Sequence, residues 1–204
     1  DDLIGAAITD GQQDISLQTR SGQAMRFSEG EVRSMGRVST GVKGISLRPG
    51  DEVVDMVVLR EDSTLLTICE NGYGKRTNQI EYPCKHRGGK GVIDIKTTER
   101  NGDVVACKEV QAEEEVMVVT QNGIMIRMPV EGLSSIGRNT QGVRVINLDE
   151  GDLAAVGSNI EAAAERTGLK GFLVHAATRA VAVCCKIELE IDQLEDTDAN
   201  AFLA

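Results

Sequence analysis

An internal repeat constrains this chain more than any other feature. With Gly22, Gly72 and Gly123 set in register, the next twenty residues align without a gap in three copies. Four residues on stand Arg26, Arg76 and Arg127; fifteen on, Arg37, Arg87 and Arg138; nineteen on, Gly41, Gly91 and Gly142. Val42, Val92 and Val143 follow, and Ile45, Ile95 and Ile146 come three further on. The period is 50 and then 51 residues. Self-similarity at this spacing marks a stack of supersecondary units, each burying its apolar face only against its neighbours.

Every copy reads as four short strands separated by turn signals. In the first, 3–9 and 15–20 precede the Ser21-Gly22 turn, 24–28 follows it, and 42–47 closes the copy at Pro49-Gly50. The second runs 53–59, 65–70, Asn71-Gly72, 75–80 and 92–97, ending at Asn101-Gly102. The third runs 104–110, 116–120, Asn122-Gly123, 124–128 and 143–148, ending at Glu150-Gly151. A glycine in each hairpin suits a turn that needs positive φ, a conformation low in energy only without a Cβ.

Four strands per 50 residues describe a blade. WD40-type blades are shorter and carry a Trp-Asp signature, whereas this sequence has no tryptophan, which leaves a kelch-like propeller or a pinwheel. Aromatic residues make up 2% of the chain, so the core must be built from Val, Ile, Leu and Met. The expected fold is all-β: an open arc of three four-stranded antiparallel blades at about 1–51, 52–103 and 104–157, each repeat forming its own blade. Gly22, Gly72 and Gly123 are expected in equivalent hairpins. Residues 158–204 follow as a C-terminal extension. There Ser158-Asn-Ile-Glu161 is a capping-box pattern that predicts a short helix over 158–167, ended by Gly168. Residues 171–191 suit one or two strands or a buried helix, and 195–198 is acidic.

Charge gives no global basic signature. The formal net charge is −10, with Lys/Arg against Asp/Glu at 18 to 23 over residues 1–150 and 4 to 9 beyond them. Nucleic-acid binding therefore requires cations gathered on one face. Cys69, Cys84, Cys107, Cys184 and Cys185 lack CxxC spacing, which argues against a zinc ribbon and a secreted disulfide framework and for reduced thiols. The most apolar segment, 171–185, is interrupted by His175 and Arg179, so no membrane span is expected. The chain opens on Asp1 with an apolar run at 3–8 and no basic segment before it, and reads as an excised piece.

The runs Glu70-Asn-Gly-Tyr-Gly-Lys-Arg-Thr77, Thr97-Thr-Glu-Arg-Asn-Gly102 and Gly137-Arg-Asn-Thr-Gln-Gly-Val143 resemble the last three blades of the C-terminal domain in the DNA gyrase A protein. Arg33-Ser-Met-Gly-Arg37 with Thr40-Gly-Val42 is similar to the blade before them. The resemblance runs from residue 1 to about 157, and the A protein of topoisomerase IV is a near relative sharing the architecture. It implies a β-pinwheel, six blades in a disc with strands exchanged between neighbours and duplex DNA around the outer rim. That wrap lets ATP-driven strand passage introduce negative supercoils. It also implies that this chain has no catalytic centre, the reactive tyrosine lying upstream and the ATPase site on the B protein. No cofactor is expected here, since the ATP and Mg2+ of the holoenzyme act elsewhere. The implied partners are double-stranded DNA, the remainder of the gyrase A protein and the gyrase B protein, with no membrane and no small-molecule substrate. The implied location is the bacterial cytoplasm, at the nucleoid. The family's Gln-Arg-Arg-Gly-Gly-Arg-Gly signature has only a partial cousin, Lys85-His-Arg-Gly-Gly-Lys-Gly91.

Lys85, Arg87 and Lys90 flank a Gly-Gly pair in that loop, and phosphate recognition uses both features. Cations release counterions, and glycines let backbone N–H groups approach a phosphate oxygen. Without residues suited to base edges, binding is expected to be independent of sequence. The recurring Arg37, Arg87 and Arg138 are the leading candidates for a row of contacts. Arg26, Arg76 and Arg127 either touch DNA or form salt bridges across the blade, with Glu31 and Glu81 as partners. Lys43 and Arg144, replaced by Ile93 in the middle copy, are weaker candidates, as is Lys75. His86 and His175 have no nucleophile spacing around them, and Gly72-Tyr-Gly74 and Gly41-Val-Lys-Gly44 lack the context of a phosphate-binding loop. Glu113-Glu114-Glu115 reads as a solvated turn with at most weak affinity for a divalent cation. The alternative from another class is a propeller-like scaffold that binds protein, which the net acidity and the divergent tail favour. Salt-sensitive, sequence-independent duplex binding discriminates between the two.

Overall fold

The computed structural model of the chain describes residues 3–121, 124–148, 154 and 182–184. Three antiparallel hairpins organise it. Strand β1 (Asp14–Thr19) turns into β2 (Gln23–Ser28), and β4 (Thr64–Cys69) into β5 (Tyr73–Asn78). The third hairpin joins β8 (Glu115–Val119) to β9 (Met125–Pro129). Pairing is in the same register each time: Gln18 faces Ala24, Ile68 faces Gly74 and Val119 faces Met125. A short 3-10 turn follows each hairpin, at Glu29–Glu31, Gln79–Glu81 and Val130–Gly132. Ser28 and Asn78 cap the first two through their side chains.

The blades are completed by exchange. Between the hairpins lie β3 (Val53–Leu59), β6 (Val92–Ile93) and β7 (Val104–Val110), and β10 (Val143–Arg144) follows the third. The first sheet has the order β3-β1-β2-β6 and the second β10-β5-β4-β7. The outer strand of each four-stranded blade is thus the opening strand of the next repeat, and its other edge is that repeat's closing strand. This corrects the expectation that one 50-residue repeat closes one blade. A gapless alignment yields the period of a repeat but not its phase, since any cut through the cycle of four strands is equally periodic. The strands expected at 3–9 and 42–47 are absent for a related reason. Their counterparts pair with the hairpin one repeat earlier, and among the described residues no hairpin stands one repeat before β1 and β2.

The third sheet takes its outer strand from further along. Strand β11 (Ala182–Cys184) pairs with β8 as β3 does with β1, setting Ala182 opposite Val118. Ala154 bridges Thr120, the place that Val53 takes beside Thr19 and Val104 beside Cys69. A strand within 171–191 is therefore present. The helix expected at 158–167, the acidic run at 195–198, His175 and Gly123 lie outside the described residues.

Close approach between repeats explains the two described hairpin glycines. Gly22 and Gly72 have φ of +78° and +75°. A Cβ at Gly22 would lie 2.1 Å from the carbonyl oxygen of Ile95, and one at Gly72 2.6 Å from that of Ile146, so each hairpin rests on the next repeat's closing segment. Backbone hydrogen bonds latch the same places: Asp94 N–H donates to Gly22 O and Val145 N–H to Gly72 O, both at 2.9 Å. The apolar core fills the space between sheets with β-branched and aliphatic side chains, including Leu66, Ile68, Val105, Val116, Val118 and Ile146. A second cluster gathers Ala24, Val57, Leu59 and Leu65 around Tyr82.

Candidate nucleic-acid interface

The connections between blades bring together cations that are far apart in sequence. The loop carrying Lys85 to Gly91 crosses the segment at 43–46: Gly88 N–H donates to Gly44 O, Ser46 N–H to Gly89 O at 2.7 Å, and the Ser46 hydroxyl to Gly88 O at 2.6 Å. Lys43, Lys85, His86 and Lys90 are exposed at this crossing. Among the described residues Lys43, Lys85 and Lys90 form no ion pair, and neither does exposed Arg37. One carboxylate tempers the crossing. Glu31 accepts from Arg87 N–H and pairs with His86 Nδ1, each at 3.0 Å. The Arg87 amide, chiefly, holds the Glu31 carboxyl below its usual range, against a smaller opposing effect of burial.

The next crossing has the same backbone and fewer cations. There Asn139 N–H donates to Asp94 O and Lys96 N–H to Thr140 O. Ile93, Ile136 and Gln141 stand where Lys43, Lys85 and Lys90 stand one repeat earlier. Basic character is therefore concentrated at the first crossing.

The recurring arginines turn out to be clips. Arg87 Nη1 donates to Lys43 O at 3.0 Å and Arg138 Nη1 to Ile93 O at 3.1 Å, equivalent bonds to the preceding closing segment. Arg87 Nε adds a bond to Glu31 O at 3.1 Å, and the Arg138 guanidinium lies 5.9 Å from the Tyr82 ring centroid. A main-chain carbonyl is a demanding partner, which explains recurrence of the residue type without reference to a ligand. Arg87 and Arg138 thus join blades through part of their guanidinium donors.

Arg26 and Arg76 also join blades, and Arg127 pairs within its own hairpin, with partners other than Glu31 and Glu81. Arg26 Nε pairs with Asp14 at 2.7 Å and its Nη1 donates to Gln79 O at 2.8 Å. Arg76 Nε donates to Leu133 O at 3.0 Å. Arg127 pairs with Glu115, at the position equivalent to Asp14. Glu114 in turn pairs with Arg60 at 3.0 Å, so two members of the acidic run are engaged and not simply solvated. No group of side chains suited to hold a metal ion occurs among the described residues.

Lys75 leaves the interface altogether. Fully buried, it donates through Nζ to Asp94 O at 2.9 Å and Gly137 O at 3.0 Å, and pairs with Asp94 Oδ1 at 3.3 Å. Tyr82 and Thr67 hydroxyls, each at 2.6 Å, complete the hydrogen bonding of Asp94. Burial, above all, lowers the Lys75 pKa and the Asp94 charge opposes this. Its counterparts Met25 and Ile126 show that the position is a core position, which the sequence alone disguised with a charge.

Arg144 is exposed and donates through Nη2 to the Tyr73 hydroxyl at 2.8 Å. Arg100, which sequence reasoning missed, stacks on the same ring. No spacing in the sequence signals this contact, because the turn at 98–102 brings Arg100 to Tyr73 only in three dimensions. Two thiols are inert by environment: burial, first of all, pushes Cys69 up to about 12 and raises Cys107 as well, whereas Cys84 is exposed. No helix among the described residues is long and apolar enough to cross a membrane.

Consecutive four-stranded antiparallel sheets, latched by exchanged strands and repeated at 50 residues, define a β-propeller-like repeat domain. The family model described as DNA gyrase C-terminal domain, beta-propeller, matches residues 13–60, 63–111 and 114–154. The chain belongs to that family. The DNA gyrase A protein of Escherichia coli (strain K12) is 47% identical over 150 residues, covering 74% of this chain and 17% of the relative. That of Staphylococcus aureus (strain NCTC 8325 / PS 47) is 44% identical over 167 residues, 81% of this chain and 19% of its own length. The chain thus spans under a fifth of these curated relatives. Among solved structures, a DNA gyrase A C-terminal domain superposes with a TM-score of 0.66 at 29% identity, covering 70% of this chain and 48% of that one. The C-terminal domain of DNA topoisomerase IV gives 0.67 at 24% identity, covering 71% and 46%, which supports the fold alone.

Proposed function

We propose that this chain is a non-catalytic DNA-binding and DNA-wrapping module of a bacterial type II topoisomerase, with gyrase as the parent enzyme. The observation that carries the reading is the crossing of 85–91 over 43–46, which collects Lys43, Lys85 and Lys90, exposed and without ion-pair partners among the described residues. Three ammonium groups beside two glycines suit phosphates and ignore base identity. Exposed Arg37 adds to the same set, and Arg87 contributes whatever donor capacity its carbonyl bonds leave.

Successive blades would lead a duplex along an arc, so that contacts weak singly accumulate into a bend. In the holoenzyme that bend would favour negative supercoiling, the chemistry being supplied by the remainder of the gyrase A protein and by the gyrase B protein with ATP and Mg2+. The module itself needs no cofactor and acts in the cytoplasm at the nucleoid. Titration of a fluorescent duplex of mixed sequence with the whole chain tests this. Binding should fall linearly in log K against log salt and should be indifferent to sequence; absence of salt-sensitive duplex binding would remove the reading.

A further inference from the structure

We propose that Arg100 and Arg144, both gathered on Tyr73, form a seat for a phosphate of a nucleic-acid backbone at the hairpin end of the second blade. The proposal rests on the DNA reading above and adds to it a place that the recurring arginines do not mark. Arg144 in β10 lies opposite Tyr73 in β5 and bonds its hydroxyl. The Arg144 guanidinium carbon is 5.0 Å from the ring centroid and that of Arg100 is 4.8 Å. Tyr73 itself is only 7% exposed, so the ring acts as a fixed wedge beneath two exposed cations.

The scaffold under the pair is built. Asn71 Nδ2 donates to Glu99 O at 3.1 Å and Arg100 O at 3.2 Å, tying the turn that carries Arg100 to the hairpin that carries Tyr73. Fully buried Asn101 donates through Nδ2 to Lys96 O at 2.9 Å and Gln141 O at 3.1 Å, tying the same turn to the segment entering β10. Its Oδ1 accepts from Thr98 N–H and Oγ1, both at 2.8 Å.

Two guanidiniums held together repel, and neither has a carboxylate partner among the described residues. An anion relieves that repulsion, and the planar fork of arginine matches phosphate oxygens. Arg100 first, then Arg144, hold the Tyr73 hydroxyl below its usual pKa, in keeping with a positive potential there. Strand closure does not require the cluster. In the first blade the corresponding pair is Gln23 opposite Ile93, and the sheet forms without it. The clips recur because blades need them; among the described residues this constellation occurs in the middle blade alone.

The test uses the whole chain, a fluorescent duplex and salt between about 50 and 200 mM, with Arg100→Ala/Arg144→Ala against the parent. The double variant should bind at least tenfold more weakly at low salt, with a log K against log salt slope shallower by roughly 0.9, the equivalent of one phosphate. Tyr73→Phe keeps the ring and loses the hydroxyl, and should fall between the two. Should the alanine pair lose native circular dichroism, Arg100→Gln/Arg144→Gln, which keeps donors for the hydroxyl, replaces it with the same expectation. A parent that binds with steep salt dependence and a double variant equal to it in affinity and slope would overturn the seat and leave the DNA reading standing. A parent that binds no duplex would overturn both. Orthophosphate that displaces duplex from the parent, beyond chloride at equal ionic strength, but not from the double variant would support the seat, because free phosphate then competes with the backbone for the same two guanidiniums.

Discussion

Arg87 reaches across the boundary between repeats to the carbonyl of Lys43, at 3.0 Å from Nη1. One period later Arg138 makes the same bond to Ile93, at 3.1 Å. The pair explains why an arginine recurs at this position while its neighbours change. The carbonyl belongs to whichever residue occupies the closing segment, so lysine and isoleucine serve equally as acceptors.

Arg138→Ala should therefore destabilise the chain, by about 0.5–1.5 kcal/mol, since water can reach the freed carbonyl. Denaturant unfolding followed by circular dichroism measures this. Arg37→Ala, exposed and without an ion-pair partner among the described residues, should leave the midpoint unchanged. Equal midpoints for the two variants would mean that the clip contributes nothing.

Lys75 and Asp94 make a second stability prediction. Lys75→Met places at this position the residue found at 25, yet leaves the buried Asp94 carboxylate without its counter-charge. The single change should cost about 3–5 kcal/mol. Adding Asp94→Asn removes the charge, keeps an oxygen acceptor for one of the Tyr82 and Thr67 hydroxyls and turns an amide N–H to the other, which can accept it, and should restore more than half of the loss. A double variant no more stable than Lys75→Met would show that the ion pair is not the source of the effect.

Much of this architecture was legible, because periodicity survives substitution. The three hairpins, Gly22 and Gly72, the outer strands at 53–59 and 104–110 and the aliphatic core follow from spacing and composition. What was not legible is phase and partnership. Strand exchange depends on which edge each strand meets, and the closing strands shrink to Val92–Ile93 and Val143–Arg144 because only two residues of each reach the neighbouring hairpin. The candidate site divides in the same way. Exposed Lys43, Lys85 and Lys90 could be named from a Gly-rich loop and an aligned column. The engaged arginines could not be told from free ones, because a guanidinium on a carbonyl and one in solvent have the same sequence signature.

The turn that leads into β3 supplies a pH prediction. Asp51 accepts from Ser21 N–H at 2.9 Å and from the Ser21 hydroxyl at 2.5 Å. Burial opposes ionisation of Asp51, and the bonds from Ser21, Thr19 and Glu52 together outweigh it, so the carboxyl lies below its usual value. A carboxyl lowered on folding contributes stability that is complete above its unfolded pKa, about 4, and is lost as pH falls through the lower folded value. Asp51→Asn should therefore melt lower than the parent at pH 7, with the gap closing below about pH 4. Thermal melts from about pH 2.5 to pH 7 check this; a gap independent of pH would assign the difference to shape and not to charge.

The central claim, a phosphate-binding face at the crossing of 43–46 and 85–91, is tested most directly by Lys43→Glu/Lys85→Glu/Lys90→Glu in the duplex titration. None of the three ammonium groups has an ion-pair partner among the described residues, so circular dichroism and the unfolding midpoint should match the parent. Duplex affinity at about 50 mM salt should fall by two orders of magnitude or more, and the log K against log salt slope should be shallower by roughly 0.9 for each phosphate no longer neutralised. A folded triple variant that binds duplex with the parent's affinity and the parent's slope would contradict the account.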